Sequence, residues 1–243
     1  MSHDIRTPLT GVVGMSKKLE ERTPDPEQKK YAHFLGESGD QLLHMLNDIL
    51  DVIKAGSIND SDLHEEAFDV RDVLENIMQL ERPTILTKGL ELQVDISDDI
   101  PVCLIGDHKK LSRIILNLLG NAIKFTDKGY IKLNITLLKT LKKHVSLRFI
   151  VSDTGIGIEP ELQKHVFDRF FRVTPSYEGV YTGHGVGLHL AQSYAHFLGS
   201  NITLKSKLNA GTTFSFDVKF QVGDFKLLDR KEPHNEIMTE VKD

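Results

Sequence analysis

The sequence predicts an α+β protein in which an N-terminal helical hairpin, paired with a second copy as a dimeric four-helix bundle, precedes an α/β sandwich with one mixed sheet. Apolar residues recur at helical spacing through the first 55 residues. From residue 90 onward, several segments alternate apolar and polar residues as strands do, and helical segments lie in clusters between them. The predicted divisions are a hairpin (1–55), a linker (56–66), an α/β domain (67–222) and a polar tail or linker (223–243).

Two helical segments separated by a proline-containing break form the predicted hairpin. The first has its apolar stripe at Ile5, Leu9, Val12 and Leu19. Two prolines in the segment 23–27 cannot continue that helix. The stripe of the second helix is formed by Tyr31, Phe34, Leu35, Leu42, Met45, Leu46, Ile49 and Ile53. Two helices cannot enclose a core, so the hairpin is expected to dimerise; the alternative is that the stripe packs on the rest of the chain.

The segments after the hairpin supply the predicted linker, helices and strands. The linker is polar and contains Gly, Ser, Asn and Asp. Helices are predicted over 69–86, 111–125 and 188–198, and strands over 90–96, 131–135, 145–151, 202–204 and 213–220. Asp107 is the predicted N-cap of the second of these helices, Gly199 ends the third, and Pro83 is expected to kink the first or end it early.

Composition excludes some functional classes. Lys plus Arg is 30 and Asp plus Glu is 35, a net charge of −5 that argues against non-specific nucleic-acid binding. The single cysteine, Cys103, excludes an internal disulfide framework and, within its apolar run, is predicted to be buried. No stretch is apolar enough to span a membrane and no signal peptide is visible. Because the first residues already have a helical pattern, we expect a fragment whose sensor or membrane segment lies upstream.

Two asparagines and a lysine form the first candidate cluster. Asn117 and Asn121 are four residues apart in a predicted helix, so they share one face, and Lys124 is close by. A carboxamide oxygen is a hard neutral ligand suited to Mg²⁺, and an ammonium group suits a phosphate. The alternative is an amphipathic helix whose polar residues simply face water.

A glycine-containing turn after the strand 145–151 forms the second cluster. Gly155 and Gly157 permit a sharp turn and close approach of the backbone to a ligand. Asp153, at the end of the strand, is placed to accept a hydrogen bond from an exocyclic amine such as that of adenine. The alternative is an ordinary glycine turn.

A second glycine-rich segment precedes the helix 188–198. Backbone amides beside Gly183, Gly185 and Gly187, at a helix N-terminus, make an anion site. Such a pattern alone is weak. It is not a Walker loop, because no Gly-Lys-Ser/Thr follows, and no parallel βαβ pattern surrounds it as a dinucleotide fingerprint requires.

A histidine, a carboxylate and a threonine occur together at the start of the chain. His3 and Thr7 are four residues apart and share a helix face, and Asp4 follows the histidine. A neutral imidazole nitrogen is a competent nucleophile near pH 7, and a neighbouring carboxylate can orient it or take its second proton. The alternative is an ordinary exposed helix turn.

In chain order, these clusters resemble the sensor histidine kinases of two-component signalling, from residue 1 to about residue 220. The matching motifs are the H box (3–8, HDIRTP), N box (117–124, NLLGNAIK), first glycine box (153–157, DTGIG), F box (167–172, FDRFFR), second glycine box (183–187, GHGVG) and the final threonine motif (211–214, GTTF). Each motif is modest alone, but six in this order are highly specific. Asp4 stands where glutamate is commoner in the family, and His184 where a small or polar residue is usual. The H box and the charged tail resemble hybrid kinases, in which a receiver domain follows.

The resemblance implies a dimerisation and phosphotransfer hairpin followed by a Bergerat-type ATP-binding domain, with ATP and Mg²⁺ as cofactors. His3 is then the phospho-acceptor, Asp4 its acid/base neighbour, and Asn121 the metal-holding amide. Asn117 and Lys124 are expected along the phosphates and Asp153 at adenine. Further nucleotide contacts are expected from Gly155, Gly157, Phe170, Gly183, Gly185, Gly187 and Thr212. The stretch 172–183 is the expected mobile lid over ATP.

The function implied is that of an ATP-dependent protein histidine kinase that autophosphorylates and passes the phosphoryl group to an aspartate of a response regulator. Expected partners are a second copy of the chain and a receiver domain, without nucleic acid, in the cytoplasm, with any membrane contact made by segments absent from this chain. An added phosphatase activity is expected to use Thr7.

Two other functions are alternatives to this one. An ATP-driven conformational clamp resembling gyrase, mismatch-repair or chaperone ATPases uses a glutamate in the N-box helix, but here Asn117 and Asn121 have no glutamate beside them and the clamps lack the hairpin. A scaffold with a degenerate nucleotide site is disfavoured by the intact Asn121, Asp153 and glycines.

Overall fold

A computed structural model describes residues 2–56, 63–172 and 185–228 of the 243-residue chain. The helices in these ranges are α1 (Ser2–Arg22), α2 (Pro26–Gly56), α3 (Val70–Lys88), α4 (His108–Phe125), α5 (Pro160–Gln163) and α6 (Gly187–Phe197). The strands are β1 (Glu66–Phe68), β2 (Glu91–Ile96), β3 (Leu104–Gly106), β4 (Tyr130–Leu141), β5 (His144–Asp153), β6 (Thr203–Ser206) and β7 (Thr212–Val222). A short 3-10 turn, Phe225–Leu227, follows β7.

The helices α1 and α2 form the predicted hairpin, and small residues let them approach closely. A Cβ atom at Gly39 would lie 2.6 Å from Cγ2 of Val13, and one at Gly36 would lie 2.9 Å from Oγ of Ser16. Val13 and Ser16 are both buried in this seam. The helical hairpin is therefore confirmed, and its two helices are held together by a narrow line of contact.

Most of the predicted apolar stripe lies outside this seam. The exposed apolar side chains of the hairpin are Val12, Met15, Leu19, Tyr31, Phe34, Leu35 and Leu42, at 41% to 75% exposure. These side chains are not covered by the described remainder of the same chain, although α2 also contacts α6. The face is left for another partner.

The seven described strands form one mixed sheet, as predicted. The strand order is β1-β3-β7-β5-β4-β2, with β6 also paired to β7. Only the β2–β4 pair is parallel among these strands. The long strands β4, β5 and β7 alternate buried and more exposed residues, so each turns one face to the core.

The core lies between the buried face of the sheet and α3, α4 and α6. Phe149 of β5 stacks on Phe216 of β7, with ring centroids 4.9 Å apart. The apolar face of α4 is almost completely buried by Leu111, Ile114, Ile115, Leu118, Leu119, Ala122 and Ile123. Each large side chain buried in this way contributes roughly 1.5–3 kcal/mol to folding. Because that face is used for packing, the polar face of α4 is the one available for a ligand.

Asp107 caps its helix as predicted, whereas Pro83 does not end the helix in which it lies. Asp107 caps α4 by accepting a hydrogen bond from Lys110 N at 2.9 Å. Pro83, however, does not end α3 early: the helix continues to Lys88 and ends at Gly89, whose φ of 64° is left-handed. Continuing the helix buries Ile85 in the core, which outweighs the hydrogen bond that proline removes.

Three short elements were not predicted from the sequence. The strands β1 and β3 have three residues each, too few to show alternation, and α5 has a single turn. Cys103, just before β3, is buried as predicted. Over the described ranges, no helix combines the length and the apolar character needed to cross a bilayer.

Candidate active site

The carboxylate of Asp153 lies at the end of β5 and is fixed by two backbone amides. Its Oδ1 accepts hydrogen bonds from Gly155 N at 2.8 Å and from Thr212 N at 3.2 Å. Its Oδ2 has no hydrogen-bond partner in the part of the chain that the structure describes. Burial raises the pKa of the Asp153 carboxyl, and the two amide hydrogen bonds lower it only in part. The side chain is thus held rigidly with one acceptor oxygen available.

Glycines around this carboxylate allow three segments to pass very close to one another. A Cβ atom at Gly155 would overlap the carbonyl oxygen of Phe125, at the end of α4, and one at Gly211 would overlap the carbonyl oxygen of Asp153. Gly211 also has a φ of 87°, which L side chains rarely adopt. The first glycine motif, the end of the N-box helix and the threonine motif therefore meet at one place.

The threonine motif supplies backbone as well as side-chain contacts. Thr212 is buried, and its hydroxyl oxygen is 2.9 Å from Oγ of Ser206. Ser206 Oγ in turn accepts a hydrogen bond from Ile158 N at 2.8 Å. Gly157, between these contacts, has a φ of 67°, and a Cβ there would overlap the Lys207 carbonyl oxygen. Thr212 thus shapes the loop 154–158 through Ser206 while its own amide orients Asp153.

The polar face of α4 carries the predicted asparagines. Asn117 donates from Nδ2 to the carbonyl oxygen of Arg113 at 2.9 Å, so its carboxamide oxygen is oriented away from the helix backbone. Asn121, one turn further on, makes no side-chain hydrogen bond to any described residue. Both side chains are partly exposed. The two amides lie on one helix face with oxygen atoms available as ligands.

Lys124 lies beside a second cation. Burial lowers the pKa of the Lys124 ammonium, and the positive charge of Arg172 lowers it further. Its Nζ also lies over the ring of Phe125, 4.7 Å from the centroid. A like-charged pair in a partly buried place is relieved when an anion binds, so this end of α4 is suited to a phosphate chain.

The N-terminus of α6 packs directly on the asparagine face. A Cβ atom at Gly187, the first residue of α6, would lie 2.8 Å from Oδ1 of Asn117. Gly185 has a φ of 71°, and a Cβ there would lie 2.7 Å from the carbonyl oxygen of Phe171. Free amides at a helix N-terminus attract anions, and here that terminus adjoins the amides of α4.

The F-box segment supplies an exposed aromatic side chain. Phe170 is 58% exposed and has a φ of 62°, a backbone conformation that is strained for a bulky residue. Its backbone is in contact range of Gly185. Strain of this kind persists where surrounding structure enforces it, and it is common at ligand sites.

The remaining predicted site residues lie elsewhere. His3, Asp4 and Thr7 belong to α1, in the hairpin, and Thr7 is exposed. The structure does not describe the side chains of His3 and Asp4. Gly183 and the expected lid beyond Arg172 fall within 173–184, outside the described residues. No group of three or more His, Cys, Asp or Glu side chains able to hold a metal occurs in the described ranges.

Family comparisons match both halves of this arrangement. Residues 106–222, which contain Asp153 and the whole of α4, match the family model of "Histidine kinase-, DNA gyrase B-, and HSP90-like ATPase". Residues 1–57 match the "His Kinase A (phospho-acceptor) domain". The second match decides among the ATPases of the first, because it adds the phospho-acceptor hairpin. The chain belongs to the histidine kinases of two-component signalling.

Relatives of this histidine kinase core include much longer proteins. It is 34% identical over 220 residues to "Hybrid signal transduction histidine kinase B" of Dictyostelium discoideum, covering 90% of this chain and 11% of that protein. It is also 34% identical over 224 residues to "Signal transduction histidine-protein kinase BarA" of Escherichia coli strain K12, covering 91% of this chain and 24% of that protein. The chain therefore spans less than a third of the length of these two relatives.

Solved structures share the fold. The structure of full-length ShkA in complex with AMPPNP has a TM-score of 0.76 and 31% identity, covering 91% of this chain and 45% of that one. The Acinetobacter baumannii histidine kinase AdeS has a TM-score of 0.58 at 18% identity, covering 91% of this chain and 98% of that one, and supports the fold alone. This chain is thus a protein-histidine kinase core with an ATP-binding domain.

Within the ATP-binding domain of this histidine kinase, described residues of the N box, the two glycine boxes and the threonine motif contact one another. Asp153 is joined to Thr212, Asn117 to Gly187, and Gly155 to the end of α4. Two features of this site were not predicted from the sequence. Gly211, in the threonine motif, packs against the backbone of Asp153, and Arg172 lies beside Lys124. The latter pairing has no sequence signal, because the two residues are 48 positions apart and meet only in the fold.

Proposed function

We propose that this chain uses ATP and Mg²⁺ to phosphorylate its own His3 and then passes the phosphoryl group to an aspartate of a response regulator. The proposal rests on the charged groups that the site presents to a ligand. A rigid carboxylate with an available oxygen, Asp153, lies beside one end of α4, and the Lys124–Arg172 cation pair lies at the same helix end. The neutral adenine amine is a hydrogen-bond donor that suits the carboxylate, and the triphosphate is an anion that suits the two cations.

Each part of the site has a distinct role in holding ATP. Oδ2 of Asp153 accepts a hydrogen bond from the adenine amine. The amides at the start of α6 and the ammonium of Lys124 face the phosphates. Asn121 fits Mg²⁺, because its amide oxygen is a hard neutral donor without a partner in the described chain. Mg²⁺ commonly uses few protein ligands together with substrate phosphates, where it neutralises their charge.

The chemical step is transfer of the γ-phosphoryl group to an imidazole nitrogen. The lone pair of a neutral His3 nitrogen forms the new P–N bond while the bond between the γ-phosphorus and the bridging oxygen breaks, and ADP leaves with that electron pair. The proton on the other ring nitrogen of His3 is held or accepted by a carboxylate, the role we assign to Asp4. Most of the catalysis is positioning and charge neutralisation, as phosphoryl transfer requires.

A homodimer and a receiver domain complete the proposed function. The exposed apolar face of the hairpin is suited to a second copy, which would bury it in a four-helix bundle. A clamp-type ATPase is the less suitable candidate, because α4 has no glutamate to activate water. A receiver aspartate then takes the phosphoryl group from the P–N bond of His3.

The proposal is tested by incubating the chain with γ-labelled ATP and Mg²⁺ and following the label on the protein. We expect incorporation that is labile in acid and stable in alkali, as a phosphoramidate is. His3→Gln should remove the label while ATP binding, measured by calorimetry, stays within about twofold of the parent chain, because nucleophile and nucleotide site lie in different parts of the chain. Persistent acid-labile label in His3→Gln would refute the assignment of His3.

A phosphatase role is proposed for Thr7. It lies one helical turn from His3 on the same face of α1, and its hydroxyl can orient a water molecule near a docked phospho-aspartate. Thr7→Ala should keep autophosphorylation and lose most dephosphorylation of the regulator, measured as label lost with ADP present. Loss of neither rate would mean that Thr7 has no such role, and equal loss of both would mean a damaged hairpin.

A further inference from the structure

The side chain of Lys88 reaches from the end of α3 to the end of α4. Its Nζ donates hydrogen bonds to the backbone carbonyl oxygens of Ile123 at 2.8 Å, Lys124 at 3.1 Å and Thr126 at 3.3 Å. Carbonyls in the last turn of a helix lack intrahelical partners. An ammonium group has three donors, so one side chain from another helix bonds two carbonyls of α4 and that of its C-cap residue, Thr126.

This contact is also favourable electrostatically. The C-terminus of a helix carries a partial negative charge, and a cation there stabilises it. The Lys88 side chain is 32% exposed, and its nearest carboxylate in the described chain, that of Asp127, is 3.9 Å away and 72% exposed. The carbonyls of α4 are therefore the main partners of Lys88, and the exposed Asp127 adds little.

The point that Lys88 holds is the junction between α4 and the first glycine motif. Lys124, whose carbonyl is bound, is the proposed phosphate ligand. The next carbonyl, that of Phe125, accepts a hydrogen bond from Ile156 N at 3.2 Å, and a Cβ at Gly155 would overlap it. A shift in the last turn of α4 would therefore move both the phosphate lysine and the loop next to Asp153.

We propose that Lys88 is a positioning residue for nucleotide binding: without touching ATP, it fixes the last turn of α4 so that Lys124 and the loop 154–158 keep their binding geometry. The inference rests on the proposed nucleotide site. Lys88 lies outside the six motifs and 36 residues before Lys124 in the sequence.

Lys88→Met tests the proposal, since methionine keeps much of the apolar stem and loses the ammonium donors. We expect ATP to bind about 5- to 30-fold more weakly, because the competent geometry becomes only partly populated. The matched control is Lys139→Met, which removes the same charge from an exposed site on β4. Affinity is measured by calorimetry at 10 °C, where circular dichroism first establishes that each variant is folded.

A local readout separates positioning from general destabilisation. The amide of Ile156 should exchange with solvent at least about tenfold faster in Lys88→Met than in the parent chain, because its acceptor at Phe125 is no longer fixed. Amides in the centre of β5 should keep their exchange rates at 10 °C. If Lys88→Met does not fold, Lys88→Gln serves, since its amide can donate to two carbonyls and should give an intermediate loss of affinity.

The outcomes are distinct. ATP affinity equal to that of the parent chain in a folded Lys88→Met, or an equal loss in Lys139→Met, would overturn the role of Lys88. Weaker ATP binding with an unchanged exchange rate of the Ile156 amide would also overturn it, because Lys88 is proposed to act through the hydrogen bond between Ile156 N and the Phe125 carbonyl oxygen. Failure of the parent chain itself to bind ATP would instead reject the proposed nucleotide site.

Discussion

Arg169 donates a hydrogen bond from Nε to Nε2 of His189, at 3.0 Å. The other ring nitrogen, Nδ1, lies 3.1 Å from the carbonyl oxygen of Phe167, which can only accept, so Nδ1 carries the proton and Nε2 is left as the acceptor. Phe167 and Arg169 precede residues 173–184 in the chain and His189 follows them. One imidazole thus ties the F-box segment to α6.

Replacing this imidazole should loosen α6 from the F-box segment. For His189→Ala we expect the free energy of unfolding to fall by about 1–2 kcal/mol, because two hydrogen bonds are lost. ATP should bind about three- to tenfold more weakly, since the amides at the start of α6 are less well placed. Denaturant unfolding and calorimetry measure the two quantities.

His196→Ala is the matched control for that change. His196 lies on the same helix, but its ring contacts Asn201 and Gln192 near the C-terminal end of α6, away from the glycine motif. We expect its ATP affinity to stay within about twofold of the parent chain. An unchanged affinity in His189→Ala would show that this link is not needed for binding.

Asp153→Asn should separate nucleotide binding from stability. The asparagine oxygen can still accept from Gly155 N and Thr212 N, but its NH₂ group would face the adenine amine, so two donors oppose each other. Loss of a charge-assisted hydrogen bond of about 1.5–3 kcal/mol weakens ATP binding by roughly 10- to 150-fold. Calorimetric titration measures this loss.

In the absence of nucleotide, the same variant should be at least as stable as the parent chain. Burial raises the pKa of Asp153 above its ordinary value of 3.8, so the folded state binds the proton more readily than the unfolded state does. Its contribution to stability therefore decreases as pH rises from 3.8 through the raised pKa, and asparagine lacks this dependence. Asp153→Ala, which leaves two amides without an acceptor, should instead lose stability; a destabilised Asp153→Asn would contradict this account.

Asp107 should contribute stability that is lost in acid. Burial raises the pKa of this carboxyl, but hydrogen bonds from the Lys110 ammonium at 2.5 Å and from the amides of Lys110 and His64 outweigh it, and the net pKa is lowered. A lowered pKa gives stability that is complete above the ordinary value of 3.8 and declines as pH falls through the lowered pKa. The unfolding free energy of Asp107→Asn should therefore depend less on pH in this window.

At pH 7, Asp107→Asn should unfold with about 2 kcal/mol less free energy, since asparagine keeps the helix cap but leaves the Lys110 ammonium without its carboxylate. Urea unfolding at several pH values between 7 and 2 gives both results. The exposed Asp98→Asn, which makes no hydrogen bond or ion pair to the described residues, controls for loss of a negative charge. Parallel pH curves for Asp107→Asn and the parent chain would contradict the ion-pair argument.

The hairpin should form a dimer through its exposed apolar face. Met15 is 75% exposed and Leu35 is 51% exposed in the single chain, and both are expected to be buried by a second copy. The double variant Met15→Glu/Leu35→Glu should therefore be monomeric at micromolar concentration in light scattering, while the parent chain is dimeric. Gln28→Glu, at the start of α2, adds a negative charge outside the stripe and should remain dimeric. A monomeric parent chain would refute the dimer.

Much of the fold follows from local pattern. The repeats that predicted the two hairpin helices, the helix after Asp107 and the strands 131–135 and 145–151 are properties of neighbouring residues, so the sequence displays them directly. The three-residue strands β1 and β3 show no repeat, because their pairing depends on residues far away in the chain. Pro83 was expected to kink α3 or to end it early, and the helix does not end there but continues to Lys88, with Ile85 buried in the core.

The sequence by itself determined the order of the six motifs, and with it the family, the ATP-binding fold and the residue types offered to a nucleotide. Only the tertiary structure decided which of these residues meet. It placed Oδ1 of Asp153 on the amide of Thr212, Gly187 on Asn117, and the ammonium of Lys88 on the last carbonyls of α4. These contacts join residues 35 to 70 positions apart, and the periodicity of a sequence reports only the surroundings of each residue along its own helix or strand.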